Sequence, residues 1–564
     1  MSNLGTSKEL PKNEVSKDTS TKDLPPSQEI FATPTNEHFL TKYSYHDLNY
    51  LEHEIRLVHV FKKPGSDLIH GNLLPPQKLA DISGKYHTIS YCAGSAKNTR
   101  PMILQGLEFN VFANLGCALQ ETLAYWSTTK YSEDDCILWI DQICINQHSN
   151  SERSHQVAFM RDIYLNSHGT FICLSTDRQD KRCPNAFSWF SERDVYQYTA
   201  EYSYTITMVE YVKGWNAFYD LLECPWWSRA WIRQEFACSQ TAVFLYHKEA
   251  REFSELSWLQ AICHSDLVTN PHHPEKLFPE LSPSRSELKK EMKTLTNRHY
   301  RTLETCHVAR FLLLQKTLLG NGPIECNMDF KKLVLDARHS KATDPRDKIF
   351  SLLGLAHPGY NITPNYSKSN TLSHVLIDTA VKVILFEGDL SILLHALQLA
   401  KAPSCQLPSW VPDWTSSTVS TLSVFGHSEN FPLASITTQI RRDAIGSIRF
   451  GRSTDGGQNT VLLVKALRLS ILETFCKELP SFGGKRFILE GGGRLQCRNE
   501  AELGDEIWLL MGTSCPYVLR STEKGYKLIS EVVAIDGQSP QSPFERERHR
   551  MRTGFEVLEE ISII

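Results

Sequence analysis

Short, uninterrupted apolar runs alternate with amphipathic stripes through the first half of this chain, and that alternation restricts it to an α/β architecture with a parallel sheet. Ile137-Leu-Trp-Ile140 is fully apolar, as a strand covered on both faces must be, and Thr170-Phe-Ile-Cys-Leu174 and Ala242-Val-Phe-Leu-Tyr246 read the same way. Glu54 to Val60 and Tyr86 to Tyr91 add two strands. Between them lie helical stripes. Phe109 to Trp126 places Val111, Leu115, Leu119, Thr122 and Leu123 three and four residues apart. Ser151 to Leu165 carries Val157, Met160, Ile163 and Tyr164 on one face, with Ser151 as the expected N-cap.

The rest of the chain divides by composition. Residues 1–35 are rich in Ser, Thr, Lys, Glu and Pro without an aromatic before Phe31, and read as a disordered tail. Residues 265–300 hold Pro271, Pro274, Pro279 and Pro283 among Ser and charges, a linker or loop. Residues 301–564 read as a mixed α+β region. Leu352–Leu355 and Leu372–Leu397 have helical patterns, while Thr460–Leu469, Glu506–Met511 and Tyr517–Arg520 have strand patterns.

Charge and cysteine usage narrow the function classes. With 60 basic and 64 acidic side chains the net charge is -4, so no global basic field argues for nucleic acid or an anionic membrane. The 15 cysteines include no C-x-x-C pair or zinc spacing, which predicts free thiols, no metal site and a cytoplasmic protein. No run approaches the roughly 18–20 apolar residues of a membrane span.

Several clusters are too particular for composition to explain. Ile89-Ser-Tyr-Cys-Ala-Gly94, Leu138-Trp-Ile-Asp-Gln-Ile-Cys-Ile-Asn-Gln147, Glu152-Arg153 followed by Gln156-Val157 and Met160 to Tyr164, and Pro225-Trp-Trp-Ser-Arg-Ala-Trp-Ile-Arg-Gln-Glu235 occur in that order. Together they resemble the heterokaryon-incompatibility domain of filamentous fungi, which the resemblance places over residues 40–250. Ala342-Thr-Asp-Pro-Arg-Asp-Lys-Ile-Phe-Ser-Leu-Leu-Gly-Leu355, Leu407-Pro-Ser-Trp-Val-Pro-Asp-Trp414 and Gly504-Asp505 look like the segments that follow it in such proteins. The chain departs from the family pattern at Ala93, where a tryptophan is usual.

Ligands of open α/β sheets bind beyond the carboxyl ends of the strands, which is where Tyr91 and Asp141 fall. Trp231 and Glu235 are four apart on an expected helix and share a face. This spacing resembles the catalytic helix of Toll/interleukin-1 receptor (TIR) domains. The resemblance implies a TIR-like parallel sheet flanked by helices, NAD as substrate, Glu235 as the catalytic carboxylate, and Tyr91, Asp141 and Trp231 as substrate contacts. Cleavage between nicotinamide and ribose builds positive charge on the sugar, which one buried carboxylate can stabilise while nicotinamide leaves as a neutral ring. Each residue also has a structural alternative. Glu235 could pair with Arg229 or Arg233, Asp141 could cap a turn, and Trp226, Trp227 and Trp231 could be core. Glu152 could complement a helix dipole, and Asp344, Arg346 and Asp347 could form caps and salt bridges.

The resemblance further implies growth arrest or programmed cell death on nonself recognition, self-association, and an unidentified protein partner, with no resident cofactor. A non-enzymatic self-assembling module stands as the competing expectation.

Overall fold

In the computed structural model, residues 45–129, 135–177, 208–255, 290–302, 328–399, 407–418, 448–452, 460–479, most of 484–536 and 558–564 are described, with a few isolated positions. The expected tail over 1–35 and residues 265–289 of the expected linker lie outside them. Residues 290–302 are helical, so a helix begins inside the stretch read as a loop. The prolines have ended by Pro283, and Met292, Leu295, His299 and Thr302 are buried at helical spacing.

The strands of the first half are β1 (Glu54–Ile55), β2 (Val58–Lys62), β3 (Ile69–Leu73), β4 (Gln77–Lys78), β5 (His87–Tyr91), β6 (Thr99–Leu104), β7 (Leu107–Phe112), β8 (Ile137–Trp139), β9 (Gly169–Cys173), β10 (Ala242–Tyr246) and β11 (Glu249–Glu252). Nine of them form one sheet in the order β11-β10-β9-β5-β8-β2-β3-β6-β7, while β1 and β4 pair separately. The centre, β10-β9-β5-β8, is parallel throughout, and the expected alternation of strand and helix holds there. β2 joins β8 antiparallel, and the far edge mixes both directions. Every residue of β5 and β9 is buried; β9 reads accordingly as a nearly apolar run, whereas β5 buries the polar His87, Thr88 and Ser90 as well.

The helices of this half are α1 (Ala113–Trp126), α2 (Asp141–Cys144), α3 (Asn150–Ala158), α4 (Met160–Leu165), α5 (Met208–Leu222) and α6 (Ile232–Ala237). Two expectations are corrected. Residues 107–112 are strand, not the start of the helix. Leu107, Phe109 and Val111 alternate with Glu108 and Asn110, and the two-residue turn Gln105-Gly106, with φ of 52° and 76°, closes a hairpin onto β6. The helix expected over 151–165 is broken at Phe159 (φ -120°, ψ 21°) into α3 and α4. Its N-cap is Ser149, whose side chain accepts from the Glu152 N–H, not Ser151.

The second half opens with α7 (Phe330–Ala337), α8 (Asp347–Phe350), α9 (Leu372–Glu387) and α10 (Ile392–Gln398). Leu352–Leu355 forms turns, and the helix expected over 372–397 is divided at Gly388, whose φ of 69° closes α9 by an N–H bond to the Ile384 carbonyl. Then come β12 (Arg449–Arg452), β13 (Thr460–Leu479), β14 (Gly484–Leu489), β15 (Arg494–Arg498), β16 (Glu506–Leu510), β17 (Tyr517–Thr522), β18 (Gly525–Glu531), β19 (Ala534–Asp536) and β20 (Glu559–Ile563). β13, β16, β17, β18 and β20 close on one another as a barrel, and the long β13 continues out of it to pair with β14. One apolar core runs without interruption from the first sheet through Phe330, Phe350 and Trp414 to Trp508 and Ile561. The two halves therefore share a core.

His87 at the start of β5 stacks on Phe171 at 5.0 Å and meets Trp126 edge-on at 5.2 Å. Burial, followed by the neighbouring His168, lowers its pKa to about 4. The unfolded chain therefore binds a proton between pH 6.5 and about 4 that the fold rejects, and stability is lost as pH falls through that window. Urea unfolding across this range should show the loss, and His87→Leu should reduce it by up to about 3 kcal/mol.

Candidate functional site

β5 and α6 bring the ends of a long chain segment together. Ser90 and Tyr91 close β5, Asp141 follows the end of β8, and α6 delivers Glu235 to the same end of the parallel strands. Glu235 is 2% exposed. Its carboxylate accepts a hydrogen bond from the Ser90 hydroxyl and a two-pronged pair from Arg229, Nη1 to Oε2 at 3.0 Å and Nη2 to Oε1 at 3.2 Å. Ser90 Oγ in turn accepts from Trp226 Nε1 at 2.7 Å. Of the partners foreseen for Glu235, Arg229 is the one found. Arg233 instead donates to the Asp336 carbonyl at 2.6 Å.

Tyr91 donates to Asp141 Oδ1 at 3.1 Å, and the Arg229 guanidinium lies 6.0 Å from the Tyr91 ring centre. Asp141 Oδ1 also accepts from the Gln142 N–H at 2.7 Å, and the Asp141 carbonyl accepts from Gln147 Nε2 at 2.7 Å. Asp141 is thus both the turn-holding residue foreseen as its structural alternative and part of the same charged group. Trp231 is half-buried against the main core, with its side chain beside Asp347. Trp226 and Trp227 are buried against Phe236 and Phe244, as core aromatics.

The electrostatics follow from burial. Desolvation raises the Glu235 pKa above the usual 4.5, against the opposing effects of Arg229 and the Ser90 hydrogen bond, with Asp141 adding to the rise. Burial also opposes charge on Arg229, but Glu235, Cys92 and Asp141 outweigh it and hold the guanidinium protonated. Tyr91 and Tyr164 are pushed well above 10 by burial and by this acidic surround.

Ala93 sits in a turn held from outside. Asn114 Nδ2 donates to the Cys92 carbonyl at 2.8 Å, and Gly94 has a φ of 80° with Asn114 against it.

Ser90, Tyr164 and Trp226 were not foreseen as members of this group. Ser90 carried a weak signal, standing next to Tyr91 at the end of a strand that also holds His87 and Thr88. Trp226 carried none, since which of several tryptophans turns its N–H inward depends on packing.

Residues 86–235 match the family described as heterokaryon incompatibility protein (HET). The chain carries a heterokaryon-incompatibility domain. Its matched segment ends on Glu235. The chain is also 27% identical over 332 residues to heterokaryon incompatibility protein 6, OR allele, of Neurospora crassa, an alignment covering 49% of this chain and 44% of that protein. The chain therefore spans less than half the length of that relative. No solved structure matches. Among the described residues, no helix is long and apolar enough to cross a membrane, no group of three or more His, Cys, Asp or Glu side chains could hold a metal ion, and every cysteine is a free thiol.

Proposed function

We propose that this chain acts in fungal heterokaryon incompatibility, promoting growth arrest or cell death when a nonself partner is detected, and that its incompatibility domain does so by TIR-like cleavage of NAD after self-association. The observation that carries this reading is the meeting of Ser90 and Glu235, 145 residues apart and close to the two ends of the family match, at one carboxylate beyond the parallel strands. In the reaction the bond between ribose C1′ and the nicotinamide nitrogen breaks with both electrons leaving on nicotinamide. Glu235 stabilises the positive sugar, and water adds to C1′ and loses a proton to solvent. Tyr91 and Asp141 border the position the sugar would take. Free thiols at every described cysteine fit action in a reducing cytoplasm.

One observation favours the second reading, a self-assembling module without catalysis: both oxygens of Glu235 are already engaged by Arg229, and one of them by Ser90 as well. The test is NAD loss and nicotinamide release by the full chain fused to an oligomerising tag, beside the same protein carrying Glu235→Gln. Turnover lost in the folded variant is the expected result. Silence in both transfers the function to the assembly reading, and turnover indifferent to Glu235 removes Glu235 as the catalytic carboxylate.

A further inference from the structure

Residues 336–354 grip the Glu235 centre from outside the matched domain. The backbone of residues 228–230, which carries Arg229, pairs with Lys341 in a two-way bridge: the Lys341 N–H donates to the Ser228 carbonyl at 2.6 Å, and the Ala230 N–H donates to the Lys341 carbonyl at 3.0 Å. Asp347, which lies beside the Trp231 side chain, accepts from the Tyr366 hydroxyl at 2.5 Å. The Asp336 carbonyl takes Arg233, and Gly354 lies directly against the Gln234 side chain. The whole run from Ser228 to Gln234 is thus held by one later segment. The residue at the middle of the bridge, Arg229, is the one whose side chain seals Glu235.

We propose that residues 336–354 are an intramolecular clamp that keeps Arg229 on Glu235, and that displacement of this clamp is the step that uncovers the carboxylate. The proposal rests on the reading of Glu235 as the working carboxylate. Its logic is geometric. While the backbone under Arg229 is pinned, the guanidinium is held within reach of both carboxylate oxygens. Freeing residues 228–230 from Lys341 lets the loop move and take the guanidinium with it. A partner that binds the second half of the chain can then act on the centre without touching it.

Gly354 offers a wedge. Its backbone is not in the left-handed region, yet an added Cβ would come within 2.6 Å of Gln234 Cδ and 2.9 Å of Arg161 Cβ. Gly354→Leu should push the clamp off α6. Gly451→Ala, whose Cβ would meet only Leu463 at 3.7 Å, is the control. The experiment is amide hydrogen exchange on the full-length protein, with NAD turnover read in parallel. The expected result is at least tenfold faster exchange in peptides covering 228–237 in Gly354→Leu, with β5 and β9 as protected as in the wild type and in Gly451→Ala. Unchanged protection over 228–237 in a folded Gly354→Leu protein overturns the clamp. If that variant does not fold, Gly354→Ala meets the same side chains with a single methyl and is read in the same way. The two ideas fail separately. Faster exchange in the wedge variant with no NAD turnover by the tagged wild type or the tagged variant keeps the clamp and removes the NAD reading, whereas NAD turnover in the tagged wild type with unchanged exchange in the wedge variant does the reverse.

Discussion

Replacing Arg229 with alanine should destabilise the protein by about 3–5 kcal/mol near neutral pH, because a carboxylate sealed from solvent then keeps only the Ser90 hydroxyl as partner. The geometry explains the size. Arg229 meets both oxygens of Glu235, and the Glu235 side chain is only 2% exposed, so little solvent is at hand to replace the guanidinium. The pH dependence gives the cause a signature. Burial already raises the Glu235 pKa, and removing Arg229 takes away the main opposing charge, so the pKa rises further. An acid whose folded pKa exceeds its unfolded value binds a proton on folding. The stability of Arg229→Ala is therefore best near the ordinary 4.5 and declines as pH rises from there toward the elevated folded value. Urea unfolding at pH 5 and pH 8 should show the variant closer to wild type at pH 5. Arg229→Met combined with Glu235→Gln should recover most of the loss, since no uncompensated charge remains. A loss that is the same at both pH values, and is not rescued by Glu235→Gln, would show that Arg229 matters for packing alone.

The second large effect is expected at Arg56, far from the candidate centre in sequence. Arg56 is 2% exposed, and its guanidinium meets both oxygens of Glu152, at 2.5 and 3.1 Å, and the Cys144 carbonyl at 3.0 Å, with a further bond to the His46 carbonyl. Glu152 also accepts from the Asn146 N–H at 2.7 Å. One ion pair thus ties the entry to β2, the end of α2 and the first turn of α3. Arg56→Met should cost about 3–5 kcal/mol by leaving Glu152 buried and unpaired. It should also loosen the turn from Asp141 to Gln147, which hydrogen exchange of peptides across 141–147 would read directly. Glu152→Gln keeps an acceptor for the Asn146 N–H but strands the Arg56 charge, so it should be destabilising too. Arg56→Met with Glu152→Leu should lie nearer the wild type than either single change. Unfolding midpoints for the four proteins decide the matter.

Both cases show where a linear reading reaches its limit. Glu152 looked like an acid placed to favour a helix start, and it does sit in the first turn with Ser149 as cap. Its larger role depends on Arg56, 96 residues earlier. That arginine gave no sign of burial, because it stands inside an alternating strand pattern where a charged residue is read as solvent-facing. The structure instead interrupts the strand between β1 and β2 and turns Arg56 inward.

What the chain's own pattern determined is the centre of the fold and the resemblance of residues 86–235 to the heterokaryon-incompatibility domain. Apolar runs such as Ile137–Ile140 and Thr170–Leu174 can be stable only where both faces are covered, so they had to be central parallel strands, and the ordered clusters from Tyr91 to Glu235 identified the domain. Local turn chemistry also lay in the sequence, as the left-handed Gln105-Gly106 pair and Gly388 show. Tertiary structure alone decided which charges meet. Glu235 had two arginines close by in sequence, and only the path of residues 228–230 along Lys341 settled that Arg229 takes it while Arg233 turns to Asp336. Trp231 likewise was free by spacing to share a site with Glu235, yet it packs against the main core with Asp347 of the second half of the chain beside it. The physical reason is the same in each case. Periodicity records which faces avoid water, and a buried charge or N–H is fixed by a partner that may lie a hundred residues away.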